Sequence, residues 1–174
     1  HKLYENDQDV PDANGLPPHS IAAIVEGGDA TEIANTIRGV KDQGTTPYGS
    51  TIIYVPDMYG SPHPVGFSRP VDVPIFVSIT IEPLTGYTSQ VGNEIKAAVA
   101  AYINSLAIGA NVVISRVYSP ANLGVVSGGN SRYYDITELL IGTSADTVAA
   151  ANVVIAFDHS ASCSIENIHL EVTP

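Results

Sequence analysis

The chain has 174 residues, enough for one large domain or two small ones that bury a real core. Seven Lys and Arg against 18 Asp and Glu leave a formal charge of -11, and such a surface repels phosphate backbones and anionic headgroups, so nucleic acid is excluded as an expected partner. A hydrophobic fraction of 44% against 14% charged residues is the balance of a chain that folds rather than one that stays disordered.

No apolar run approaches the roughly twenty positions of a spanning helix, and no charged-then-apolar signal opens the chain, so no membrane segment is expected and the chain reads as soluble and unexported. Cys163 is the single cysteine, which rules out an internal disulfide and fits a reducing compartment. The opening His1-Lys2-Leu3 carries no initiator methionine, which suggests a larger protein cut at a boundary, with His1 as a tag remnant.

Residues 1–18 are polar and close on Gly15-Leu16-Pro17-Pro18, the composition of an arm or linker in coil. Ser20 to Glu26 reads as a strand with Ile21, Ala23 and Val25 on one face, ended by Gly27-Gly28-Asp29. Asp29 then caps a helix, with Glu32 three residues on and Ile33, Ile37 and Val40 as its apolar stripe, until Gly39 and Gly44 stop it.

Thr51 to Val55 and Pro64 to Phe67 flank Asp57-Met58-Tyr59-Gly60, a turn sequence that predicts a hairpin, and Pro56, Pro62 and Pro64 put it at a sheet edge. Val71 to Glu82 is the clearest strand, Ile75, Val77, Ile79 and Ile81 facing the core and Ser78, Thr80 and Glu82 the other way. The longest helix runs from Thr88 to Leu106, with Val91, Ile95, Val99, Tyr102, Ile103 and Leu106 on one face and Gly109 beyond its end.

Asn111 to Ser115 is a short strand candidate, and Arg116 to Leu123, interrupted by Pro120, a brief helix or irregular connection. Ser127-Gly128-Gly129-Asn130 reads as a flexible loop. Tyr133 to Ile141, Asn152 to Phe157 and Asn167 to Val172 then alternate as three strands resembling an antiparallel meander. So many adjacent strands exclude a doubly wound parallel fold. They predict an α+β domain over 19–174, with two principal helices on one face of a mainly antiparallel or mixed sheet, or two small packed subdomains meeting near 83–88.

The chain contains no GxGxxG after a strand, Walker loop, HExxH, EF-hand loop or GxSxG elbow, so no enzyme is expected and no catalytic, cofactor or metal residue is assigned. Asp158-His159, Cys163 and His169 hold zinc-ligand atoms, but His169 alternates as an exposed strand residue, and Cys163 beside His159 lacks the electropositive surroundings of a reactive thiolate. His19 and His63 stand beside prolines in turns. Glu5, Asp7, Asp9 and Asp12 lack the spacing and glycine of a calcium loop and suit a solvated arm. Tyr48, Tyr54, Tyr59, Tyr87, Tyr118, Tyr133 and Tyr134 mostly fall at strand ends and turns, where subunit contact and plain surface packing are equally good readings.

The segment Gly15-Leu16-Pro17-Pro18-His19-Ser20-Ile21, running into Val25-Glu26-Gly27-Gly28-Asp29 and Glu32-Ile33-Ala34, resembles the baseplate J-like family of Mu-type phages and prophages. The resemblance continues through Gly44 to Tyr48-Gly49 and Val65-Gly66-Phe67-Ser68-Arg69-Pro70, covers residues 14–125, and is weaker in the last three strands. It implies a C-terminal fragment of a wedge protein of a contractile tail's baseplate, assembled in the bacterial host cytoplasm with copies of itself and other wedge proteins. It transfers no active site, because the shared residues form a fold pattern rather than a catalytic one. The isolated fragment is then expected to be a monomer or weak oligomer, and a tail-associated hydrolase or a carbohydrate-binding module is the alternative.

Overall fold

In the computed structural model, which describes residues 1–123 and 133–173, three helices and ten strands form an α+β fold with mixed and antiparallel sheets. The strands are distributed over four small sheets rather than one, and the chain divides into two compact units, His1–Val71 and Asp72–Pro174. The division lies upstream of 83–88. Pro83 and Gly86 mark instead the turn from a strand into a helix inside the second unit.

In the first unit β2 (Ser20–Ile24) is the central strand of a three-stranded sheet, antiparallel to β1 (Lys2–Asn6) and parallel to β3 (Thr46–Tyr48). The region expected to be a coiled arm therefore begins with a strand. Its return to β2 is fixed by Asn6, which is buried and whose Nδ2 donates to the carbonyls of Val10, Leu16 and Pro17, while its Oδ1 accepts from the Gln8 amide. A buried amide satisfied this fully stabilises one loop conformation, because any other would strand its polar atoms.

Helix α1 (Ala30–Val40) starts where Asp29 accepts from the Thr31 and Glu32 amides. Its buried residues Ala34 and Ile37 pack in one cluster with Ala23 and with Val55, Val65 and Phe67 of the hairpin β4 (Thr51–Pro56) and β5 (Pro62–Phe67). Val40 leaves the expected stripe and is 77% exposed, bordering a groove instead of the core. The hairpin forms its own two-stranded sheet, and Gly49 and Gly66 let the chain after β3 lie against β5: a Cβ on Gly49 would stand 2.1 Å from the Phe67 carbonyl carbon.

In the second unit β7 (Phe76–Pro83) is central, flanked by β8 (Tyr134–Gly142) antiparallel and β10 (Ile168–Val172) parallel. Ile75, Val77, Ile79 and Ile81 are all buried, as their alternation predicts. Helix α2 (Ser89–Asn104) buries Val91, Ile95, Val99 and Ile103 in the same cluster, one residue per turn along the face that meets the sheet. Helix α3 (Ile114–Ala121) contacts α2 and tolerates Pro120 in its last turn, where only the preceding turn must accommodate the ring.

The meander is not formed. Asn152 to Phe157 makes no strand and contributes one bridge, Val153 with Val112, because β8 and β10 already occupy both edges of β7. Asn111 to Ser115 likewise supplies only that bridge before α3 begins. The four-residue strand β9 (His159–Ser162) pairs instead with β6 (Val71–Pro74). The expected loop at Ser127-Gly128-Gly129-Asn130 lies outside the described residues.

Candidate functional site

The residues with the most reactive side chains are dispersed into local structural bonds. His159 Nδ1 lies 2.7 Å from Asp158 Oδ1, and His169 is an exposed residue of β10, opposite Ser78 of β7. Cys163 is 4% exposed and burial pushes its thiol up to about 11, so at neutral pH it is protonated and a poor nucleophile. Among the described residues no three His, Cys, Asp or Glu side chains are grouped to hold a metal ion.

In the first unit His19, in a left-handed backbone conformation at φ 52, faces Asp9 at 2.9 Å. His63 lies 3.1 Å from Asp57, whose carboxyl falls below its usual range because of that hydrogen bond and those from the Ser61 and Tyr59 amides. Asp12 accepts from the Asn14 and Leu16 amides, so this part of the acidic stretch shapes a turn. A cleft of about 590 Å³ gathers Arg38, Lys41 and His63, but Lys41 donates to the Thr45 and Asp42 carbonyls.

The tyrosines separate into two groups that sequence position does not distinguish. Tyr134 is 1% exposed, donates its hydroxyl to Ala121 O at 2.7 Å, and meets Tyr87 edge-on with ring centroids 6.4 Å apart. Burial, and secondarily the neighbouring Tyr87, raise its pKa to about 12. Tyr54 and Tyr59, by contrast, are 67% and 86% exposed on the hairpin, beside exposed Ile52 and Met58.

This hairpin surface is the best-defined candidate site. Asp57 builds its turn: the carboxylate accepts from the Tyr59 and Ser61 amides and the backbone carbonyl from Gly60, which takes φ 86. The inner residues Ile53, Val55, Val65 and Phe67 pack against α1, so by the two-residue period of a strand Ile52 and Tyr54 face outward, with Gly66 and Pro64 across from them. Between Asp42 and Arg69 the only formally charged residue is Asp57, which is occupied within the turn. An uncharged outer face carrying tyrosine, isoleucine and methionine on a chain of charge -11 has side chains of the kinds enriched in protein contacts.

A second apolar surface, a groove of about 480 Å³, lies between Leu3 and Ala23 on the first sheet and Ile33 and Val40 on α1. Among the described residues no helix is long and apolar enough to cross a membrane. No protein-family model matches the chain, and no curated protein matches it.

Proposed function

We propose that this chain is a structural component of a contractile phage or prophage tail baseplate, a wedge subunit that acts through protein–protein contacts and catalyses no reaction. The observation that carries the reading is Arg69, which joins the segments on which the resemblance rests. Its guanidinium donates to the carbonyls of Val25 at 3.0 Å, Gly28 at 2.8 Å and Gly27, and lies 5.2 Å from the Phe67 ring centroid. Gly27 and Gly28 both take positive φ, which turns their carbonyls toward that one side chain. The two glycines and the Phe67-Ser68-Arg69 run thus have a shared physical reason to occur together, which supports reading them as one fold pattern.

The test is whether the protein resides in tail particles. Antibodies against the chain should decorate the baseplate end of contractile tails purified from the source cells, and quantitative mass spectrometry of those tails should find it in fixed ratio to the other baseplate proteins. Intact tails that lack the protein would overturn the assignment.

A second reading, a carbohydrate-binding module, is favoured by one observation: Tyr48, Tyr54 and Tyr59 are all exposed within or beside the hairpin. Sugars stack on such rings. The chain has no tryptophan, so tyrosine fluorescence reports directly, and saturable quenching by host-surface polysaccharide that Tyr59→Ala abolishes would favour this reading.

A further inference from the structure

We infer that β4 is an open docking edge and that its occupant is β4 of a second copy of this chain. The inference stands on the hairpin alone and holds or fails independently of the baseplate reading.

The direction of the main-chain groups on β4 follows from its partner strand. In an antiparallel pair, residues alternate between those that exchange hydrogen bonds and those whose amides and carbonyls point away from each other. Asp57 N–H donates to Ser61 O at 2.9 Å, which makes that pair a bonded one. Counting back, Pro56 with Pro62 and Tyr54 with Pro64 are non-bonded pairs, as is Ile52 with Gly66. The prolines require the same phase, since they have no amide hydrogen to offer β4. Ile52 and Tyr54 therefore direct both N–H and C=O outward, and among the described residues neither main chain has a hydrogen-bond partner outside the hairpin.

Exposed edges are usually blunted by a lysine, an inward charge, a bulge or a proline. β4 has only Pro56, at its far end; along Thr51–Val55 it has none of these, and its register with β5 is regular. What covers such an edge is decided by charge. A basic partner, which a surface of -11 would otherwise attract, finds no acidic residue on β4 to receive it. Two copies repel wherever their acidic surfaces meet, so an edge without charge is where they can approach, and β4 itself is a neutral extended strand present at equal concentration.

The pairing is geometrically self-complementary. With a twofold axis at Ile53, Ile52 of one copy lies opposite Tyr54 of the other, and both such pairs exchange main-chain hydrogen bonds through the outward groups. Each also sets an aromatic ring beside a β-branched side chain on the exposed face, a favourable cross-strand combination. A six-residue strand is only about 20 Å long, so the interface falls below the roughly 800 Å² per partner of a stable complex and the dimer is weak.

Sedimentation velocity on the full chain across a concentration series, at low and high salt, tests this. We expect a monomer–dimer equilibrium whose association constant rises several-fold with salt, as screening removes the repulsion between copies. Ile52→Pro removes an amide that bonds nothing within the hairpin, so it should leave the circular dichroism unchanged and weaken association about tenfold or more. Tyr54→Glu, which adds like charge beside the axis, should do the same, whereas Asn35→Glu on the exposed side of α1 should not. If Ile52→Pro unfolds the chain, Tyr54→Glu decides alone. A chain that stays monomeric at millimolar concentration in high salt, or a dimer that Tyr54→Glu leaves intact, overturns the inference.

Discussion

Asn104, the last residue of α2, holds Cys163 by both of its main-chain groups: its Nδ2 donates to Cys163 O at 2.9 Å and its Oδ1 accepts from Cys163 N at 2.8 Å. The side-chain amide stands where a neighbouring strand would, and it fixes the chain between β9 and β10 to the helix. Neither partner would find this arrangement from local sequence, since they are 59 positions apart.

Asn104→Ala should therefore destabilise the protein by about 1–3 kcal/mol, the cost of leaving a partly buried amide and carbonyl without partners. Chemical denaturation checks the magnitude. Labelling adds a more specific signal, because Cys163 is buried in the native protein and should react with a thiol reagent much faster in the variant. An unchanged labelling rate would show that the Asn104 pair does not control access to the thiol.

Arg69→Lys should lose stability although it keeps the charge. An ammonium cannot present the planar fork that reaches Val25, Gly27 and Gly28 together, nor stack on Phe67 in the same way. A loss of about 1–3 kcal/mol is expected, with faster amide exchange in the loop before α1. Amide exchange resolved by residue would locate the change, and equal protection in both proteins would exclude the clamp.

The core of the second unit is most sensitive at Ile95, which is fully buried on the face of α2 that packs with β7. Ile95→Ala should cost about 2–5 kcal/mol, depending on how far the neighbours close over the space. Urea denaturation measures this directly, and a change of a few tenths would mean that the helix face is not part of the core.

Alkaline stability should be limited by Cys163 and Tyr134. Burial raises the thiol to about 11 from 9.0 and the phenol to about 12 from 10.0, so each holds its proton in the folded state over a range where the unfolded chain has released it. The stability these groups contribute is complete below their unfolded values and falls as pH rises through the folded ones, that is, from about 9 to about 12. Thermal melts at increasing pH should show the decline, and Cys163→Ala should flatten its first part. A melting temperature constant to pH 11 in the parent protein would contradict both assignments.

The sequence alone determined the features that act over a few residues. Asp29 caps α1 because its carboxylate meets amides two and three positions on, and Asp57 shapes the hairpin turn in the same local way. The alternation of Ile75 to Ile81 and the helical spacing of Val91 to Ile103 likewise identify their buried faces, since each period follows from backbone geometry. Tertiary structure decided what those faces and strands meet. Alternation in Ile168–Val172 is the same whether the neighbour is parallel or antiparallel, so only competition for the edges of β7 set β10 parallel and left Asn152 to Phe157 outside the sheet. The polar opening became β1 because Asn6 could satisfy its amide on the carbonyls of Val10, Leu16 and Pro17 once the chain had turned back toward β2, a closure that strand alternation does not signal. Tyrosine is equally suited to a core margin and to open surface, and long-range packing alone placed Tyr134 inside and Tyr54 on the exposed hairpin.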